Sequence, residues 1–218
     1  MNVVSMGELL IDFVSMESGV SVGEASGFIK APGGAPANVA VAVARLEQDS
    51  AFLGQVGDDP FGHFLADVLR AENVNIDGLR FTGEARTMLA FVALGEGGER
   101  SFQFYRHPSA DMLMTPDDIA NDVIQAGRIF HFGSITLISS PAREATIAAA
   151  EAARDADKII SYDPNLRLAL WPDAETARIG MRSGLEYATI AKISDDDMAF
   201  MLEDGESIDT LFEQNKQL

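Results

Sequence analysis

A glycine pair and an amide residue, Gly33-Gly34-Ala35-Pro36-Ala37-Asn38, run directly into the apolar stretch Val39-Ala40-Val41-Ala42-Val43-Ala44. The pattern predicts a loop that turns into a buried helix. Glycines permit close backbone approaches that a Cβ would block, and Pro36 suits a first helical position, where a missing N–H costs nothing. A small polar ligand could meet two bare backbone amides there, the Asn38 side chain and the positive end of a helix dipole. The same residues also suit a tight turn that only caps a core helix.

Three further positions carry polar groups at predicted strand ends. Asp12 follows the first apolar run and the Gly7-Glu8-Leu9-Leu10-Ile11 turn, so its carboxylate is expected near a sheet's carboxyl edge. It could accept sugar hydroxyl protons there, or act as a solvated or capping acid. In Asp163-Pro164-Asn165-Leu166-Arg167, the proline stops a strand and displays Asn165 and Arg167 at the same edge. An arginine so placed can neutralise a phosphoryl group in transit, although a polar turn with a surface arginine reads the same way. Lys192-Ile193-Ser194-Asp195-Asp196-Asp197 could hold Mg²⁺ through water, and it equally fits an acidic helix start with Ser194 as its cap.

Other chemistries lack their residues. His63, His107 and His131 fall on different elements without metal or triad spacing. Neither a Gly-x-x-x-x-Gly-Lys-Ser/Thr loop nor a Gly-x-Gly-x-x-Gly turn after a strand occurs. The chain contains no cysteine, which excludes disulfides and thiolate catalysis and fits a reducing compartment.

The elements that must position these residues alternate. Val3–Gly7, Ala51–Gly57, Arg128–Gly133, Lys158–Tyr162 and Tyr187–Ile193 read as buried strands. Residues 36–46, 61–72, 141–155 and 174–184 have helical spacing, and this alternation predicts an α/β fold with a parallel sheet covered on both faces. Thr87–Leu94 and Arg100–Arg106, joined by Gly95-Glu96-Gly97-Gly98-Glu99, break the rhythm as a hairpin. Phe102, Phe104 and Arg106 share one face of its second arm, an aromatic surface ending in a cation. With the extended segment Phe28–Ala31, this hairpin could form a small antiparallel lid over the sheet's carboxyl edge, where open α/β folds bind ligands; an ordinary edge hairpin is the alternative.

The 218 residues hold 16 Lys+Arg against 34 Asp+Glu, a net charge of −18 that opposes partnership with nucleic acid or an anionic membrane. Residues 1–11 carry no basic region, and Glu8 and Asp12 interrupt the apolar run, so neither a signal peptide nor a membrane span is expected. A soluble cytoplasmic protein is the expectation.

Gly33-Gly34-Ala35-Pro36-Ala37-Asn38-Val39-Ala40 together with Gly54-Gln55-Val56-Gly57-Asp58-Asp59-Pro60-Phe61-Gly62 resembles the first signature of the ribokinase-like sugar kinases, the PfkB family. Arg100-Ser101-Phe102-Gln103-Phe104-Tyr105-Arg106 with Ala110-Asp111, and Asp163 through Trp171, resemble its fructokinase branch. The likeness runs from residue 1 to about 205, with Glu47 in place of a usual glycine and Asp197 where a glutamate is common.

The resemblance implies a ribokinase-like parallel-sheet sandwich over residues 1–218, with lid segments near 14–32 and 86–107. It implies transfer of the γ-phosphoryl group of ATP, with Mg²⁺, to a sugar hydroxyl, fructose before 2-keto-3-deoxygluconate. Asp12, Gly33, Gly34, Asn38, Asn165 and Arg106 would bind the sugar, and Arg167 would stabilise the transferred phosphoryl group. Lys192 and Ser194 would face the nucleotide, and Asp197 the magnesium shell. Family members pair as homodimers through the lid, so that partnership is expected as well. The family's second signature, Asp-Thr-x-Gly-Ala-Gly-Asp, whose last aspartate is the general base, does not occur in these residues. The chain, ending at Gln217-Leu218, is therefore read as an amino-terminal part without its carboxy-terminal portion. A non-catalytic sugar-binding or dimerisation module is the reading from another class.

Overall fold

In the computed structural model, which describes residues 1–95, 100–203 and 205–215, a six-stranded sheet runs in the order β10-β9-β8-β1-β4-β5, with every neighbouring pair parallel. Its strands are β1 (Val3–Met6), β4 (Ser50–Gly57), β5 (Asn75–Thr82), β8 (Ile129–Gly133), β9 (Ile159–Asp163) and β10 (Ile190–Ala191). All eight residues of β4 are buried, as a strand covered on both faces requires.

Helices α1 (Ala35–Arg45) and α2 (Pro60–Ala71) cover one face of the sheet, and α4 (Ala142–Asp155) and α5 (Ala174–Leu185) the other. The strand alternation shows this directly. Ser5 Oγ donates 2.6 Å to Pro36 O of α1, whereas the row Met6, Phe132 and Tyr162 points the opposite way and Tyr162 donates to Met181 O of α5. Two apolar cores result, one around Phe52, Leu65 and Ala40, the other around Phe130, Phe132 and the alanine face of α4. The short α3 (Asn121–Ala126), α6 (Asp195–Met201) and α7 (Ile208–Asn215) complete the chain.

A second sheet, β3-β2-β6-β7, is built from β2 (Leu10–Ser18), β3 (Phe28–Gly33), β6 (Leu89–Leu94) and β7 (Arg100–Tyr105). It is mixed and not wholly antiparallel, because β2 pairs parallel with β6 while β3 and β7 flank them antiparallel. One face carries Ile11, Phe13 and Phe91 toward α2, with Phe13 edge-on to Phe61 at 5.7 Å and Lys30 Nζ 3.4 Å above the Phe64 ring. The other carries Asp12, Val14, Ala90, Val92, Phe102 and Phe104. Residues 96–99 of the expected hairpin turn, and Gln217-Leu218, lie outside the described residues.

Three sequence expectations need correction. The strand expected at Tyr187–Ile193 pairs only at Ile190–Ala191. Strand β5 adds to the expected set, because an edge strand reading Asn-Ile-Asp-Gly-Leu-Arg-Phe-Thr lacks a continuous apolar run. The turn expected at Gly7–Ile11 ends by Leu9, so Asp12 sits inside β2 and not after a turn.

Candidate functional site

Two glycines with different jobs build the floor of the site. Gly34 has φ 111°, a conformation open to glycine, and a Cβ on it would overlap the Glu8 carbonyl oxygen. Gly33 ends β3 opposite Leu10, and a Cβ on it would overlap the Asp12 carboxylate. The carboxylate therefore rests against bare backbone.

Asp12 is half-buried in the row Ala31, Asp12, Ala90 and Phe104. Burial pushes its carboxyl above the ordinary range, and the Arg167 charge works against that rise. Arg167 stands over the Phe102 ring with its guanidinium carbon 5.6 Å from the centroid, and donates 2.8 Å to Leu166 O. One face of the second sheet thus presents an acid and an aromatic platform, with the Arg167 guanidinium standing over it from the loop after β9. That set can accept hydroxyl protons, pack against a sugar's C–H face and attract an anion.

The remaining expected residues fall in other places. Asn38 is exposed in the groove between α1 and α2, beside Pro32 and Gly33, and its backbone N–H donates 2.9 Å to Gly34 O. Asn165, at φ 45°, lines a small hollow with Glu8, Ala35, His131 and Asp163. Arg106 does not project from the lid: its side chain is 1% exposed, and Nε donates 2.9 Å to Asp111 Oδ2 while Nη2 donates 3.1 Å to Ile135 O. Nη1 is buried without a hydrogen-bond partner among the described residues.

At the far strand, Lys192 Nζ lies 3.2 Å from Asp163 Oδ2 and 70% of its side chain is exposed, leaving it able to meet an anion. Ser194 caps α6, accepting from the Asp197 amide at 3.2 Å and donating to Asp197 Oδ2 at 2.7 Å. Asp197 Oδ1 accepts from the Leu166 amide at 3.0 Å. Both oxygens of Asp197 are thereby occupied, and no cluster of three or more His, Asp or Glu suited to a metal occurs among the described residues. Asp197 is thus built into the start of α6, held by Ser194 and the Leu166 amide.

Glu8, which no spacing in the sequence marks as a site residue, is 2% exposed and accepts 2.9 Å from the Ala35 amide. Burial pushes its carboxyl up to about 7. An acid set between a strand-ending glycine and two leucines was the available signal. No helix among the described residues is long and apolar enough to cross a membrane.

Comparison with known proteins agrees with this architecture. Residues 1–218 match the model of the pfkB family carbohydrate kinases. Fructokinase-2 of Solanum habrochaites is 52% identical over 220 residues, covering 99% of this chain and 67% of its own. The crystal structure of Xylella fastidiosa fructokinase with bound ATP superposes with a TM-score of 0.89 at 35% identity, over 99% of this chain and 65% of that one. A double mutant of Vibrio cholerae O395 fructokinase, in a form bound to fructose, ADP and potassium ion, gives 0.84 at 36% identity, over 97% and 65%. The chain thus spans about two thirds of the length of these relatives. With the glycine pair, the lid sheet and the parallel sheet in the arrangement described, the chain belongs to the pfkB family of carbohydrate kinases.

Proposed function

We propose that this chain contributes the sugar-binding side of an ATP-dependent sugar kinase acting on fructose. The observation that carries the reading is the Asp12 carboxylate seated on Gly33, with the Arg167 guanidinium facing the same sheet surface from the Phe102 ring. In this reading Asp12 accepts sugar hydroxyl protons, Gly33 lets the ring approach the backbone, and Phe102 and Phe104 exclude water from the acceptor oxygen. Arg167 neutralises the phosphoryl group during transfer and Gly34 sets the turn beside Gly33, while Asn38 and Asn165 line other hollows and Arg106 is buried against Asp111. Bound ATP supplies the γ-phosphoryl group, and the exposed Lys192 offers its phosphates a cation beside Ser194. The bound nucleotide and fructose of the Xylella and Vibrio fructokinases support both ligands.

Fructose is favoured over an acidic sugar such as 2-keto-3-deoxygluconate because Arg106 is already paired with Asp111 and leaves Arg167 to meet one anionic group. Pairing of two copies through the lid is part of the same proposal. The 218 residues alone are expected to turn over negligibly, since none of the site residues described is placed as a general base. Calorimetric titration of the chain with fructose, 2-keto-3-deoxygluconate and ATP tests the reading. Fructose should bind, and Asp12→Ala should abolish that binding while leaving the circular dichroism spectrum intact. Tighter binding of the sugar acid would move the assignment to that substrate. Sugar binding that ATP never influences would favour a non-catalytic module.

A further inference from the structure

Below the Asp12 face, the sheet edge buries a second group of charges that the proposed sugar contacts do not use. Glu8 and Asp111 are 2% and 3% exposed, and the single cation among them is Arg106, itself 2% exposed. Asp111 is fully engaged: it takes the Arg106 Nε bond and a short bond from Ser109 Oγ. Glu8 takes the Ala35 amide, the first helical N–H of α1, where the helix dipole also favours a negative charge. A Cβ on Gly34 would overlap the carbonyl oxygen of Glu8 itself.

We propose that Glu8 is a positioning residue for the sugar site, fixing the Gly33-Gly34-Ala35 turn through the Ala35 amide and so setting where Asp12 rests on Gly33. The inference builds on the sugar-site reading only for its consequence. A charged acceptor binds an amide more tightly than a neutral one, so the proton on Glu8 controls how firmly the turn is held. Burial is the main influence raising Glu8 to about 7 and Asp111 raises it further, while its own backbone amide, then the Ala35 amide and Arg106, oppose that rise. His131 and Asp163 line the same hollow, and burial holds His131 below the ordinary imidazole range. Glu8 is therefore poised to change charge near neutrality.

The turn sits one residue from each partner in the relay. Ala35 binds Glu8, Gly34 has no room for a Cβ against Glu8, and Gly33 has none against Asp12. Movement at the Ala35 amide is thereby delivered to the Asp12 carboxylate through three consecutive residues.

The test uses the 218-residue chain labelled with ¹⁵N and ¹³C and titrated between about pH 5 and about pH 9, where a carboxyl raised this far changes charge. The Glu8 carboxyl carbon and the Ala35 amide should follow one titration with a midpoint near 7. Ala35→Pro removes the donor at a position where proline fits a helix, and should move the Glu8 midpoint upward. Glu8→Gln should flatten the pH response of the Ala35 and Gly33 amides. It should also flatten a fructose affinity that in the wild type strengthens as pH rises through the same range. A Glu8 midpoint in the ordinary carboxyl range, an Ala35 amide that ignores it, or a response that survives Glu8→Gln would overturn the proposal. Should Glu8→Gln fail to fold, the direction of the Ala35→Pro shift decides alone. Absence of fructose binding at every pH, with the amide titration intact, would instead count against the sugar-site reading.

Discussion

Arg167 lies over the Phe102 ring at 5.6 Å and is the cation that opposes the burial of Asp12, although Phe102 belongs to the lid strand β7 and Arg167 to the loop after β9. The contact ties the lid strand to the loop that follows β9 of the parallel sheet. A cation over an aromatic face at a partly exposed site is worth about 0.5–1 kcal/mol. Phe102→Leu keeps an apolar side chain but removes the ring, and is expected to weaken fructose binding by about two- to fivefold. Calorimetry on the two proteins measures it, and equal affinities would show that the ring does not hold the guanidinium in place.

The two glycines should respond differently to the same methyl group. Gly34→Ala meets a left-handed φ and a backbone oxygen, neither of which can yield, and should destabilise the fold by about 1–3 kcal/mol. Gly33→Ala meets side-chain atoms of Asp12 and Leu10, which can rotate away. Its cost should appear in function: fructose affinity should fall by about tenfold or more, roughly 1.4 kcal/mol, with a smaller loss of stability than Gly34→Ala. Denaturant unfolding and titration on both variants separate the two effects. Wild-type affinity in Gly33→Ala would mean that the sugar does not depend on the placement of Asp12.

Arg106 and Asp111 form an ion pair with both side chains 1% exposed. Removing one partner strands a buried charge, so Asp111→Ala should cost about 3–5 kcal/mol. Replacing both, as Arg106→Met with Asp111→Ala, should cost clearly less than the sum of those two single changes. Urea unfolding of the cycle is the measurement, and strict additivity would show that the pair is not energetically coupled.

Much of this was legible in the sequence where local chemistry suffices. Strands β1, β4, β8 and β9 declared themselves as apolar runs, and the Gly33-Gly34 turn and Asp12 could be placed near one edge because strand ends in α/β folds converge there. The acidic segment after β10 carried both of its readings, and Ser194 and Asp197 take the capping one. What could not be read depends on tertiary closure. Arg106 ends a strand of alternating pattern and looked like a surface cation, yet the chain turns after it and brings Asp111 onto its guanidinium. Glu8 looked like a turn residue until β2 and α1 closed over it. Strand β5 is an edge strand whose polar residues face outward, so its pairing with β4 rather than its own pattern defines it.

Glu8 also makes the stability of the fold depend on pH with a definite sign. Its carboxyl is raised from 4.5 to about 7, so between those values the folded chain keeps a proton that the unfolded chain has released. The contribution is therefore complete below pH 4.5 and lost as pH rises through 7, a loss on the order of 3 kcal/mol. His131 acts in the opposite direction. Burial lowers it from 6.5, so its contribution is present above that value and lost as pH falls through its folded one. The Glu8 contribution should accordingly decline between about pH 4.5 and about pH 7 in the wild type, and Glu8→Gln should remove that decline while leaving the opposing acid-side loss from His131 in place. Denaturant melts across the range read both limbs at once. An equal decline in wild type and Glu8→Gln would assign the neutral-pH limb to another group and leave Glu8 ionised in the fold throughout.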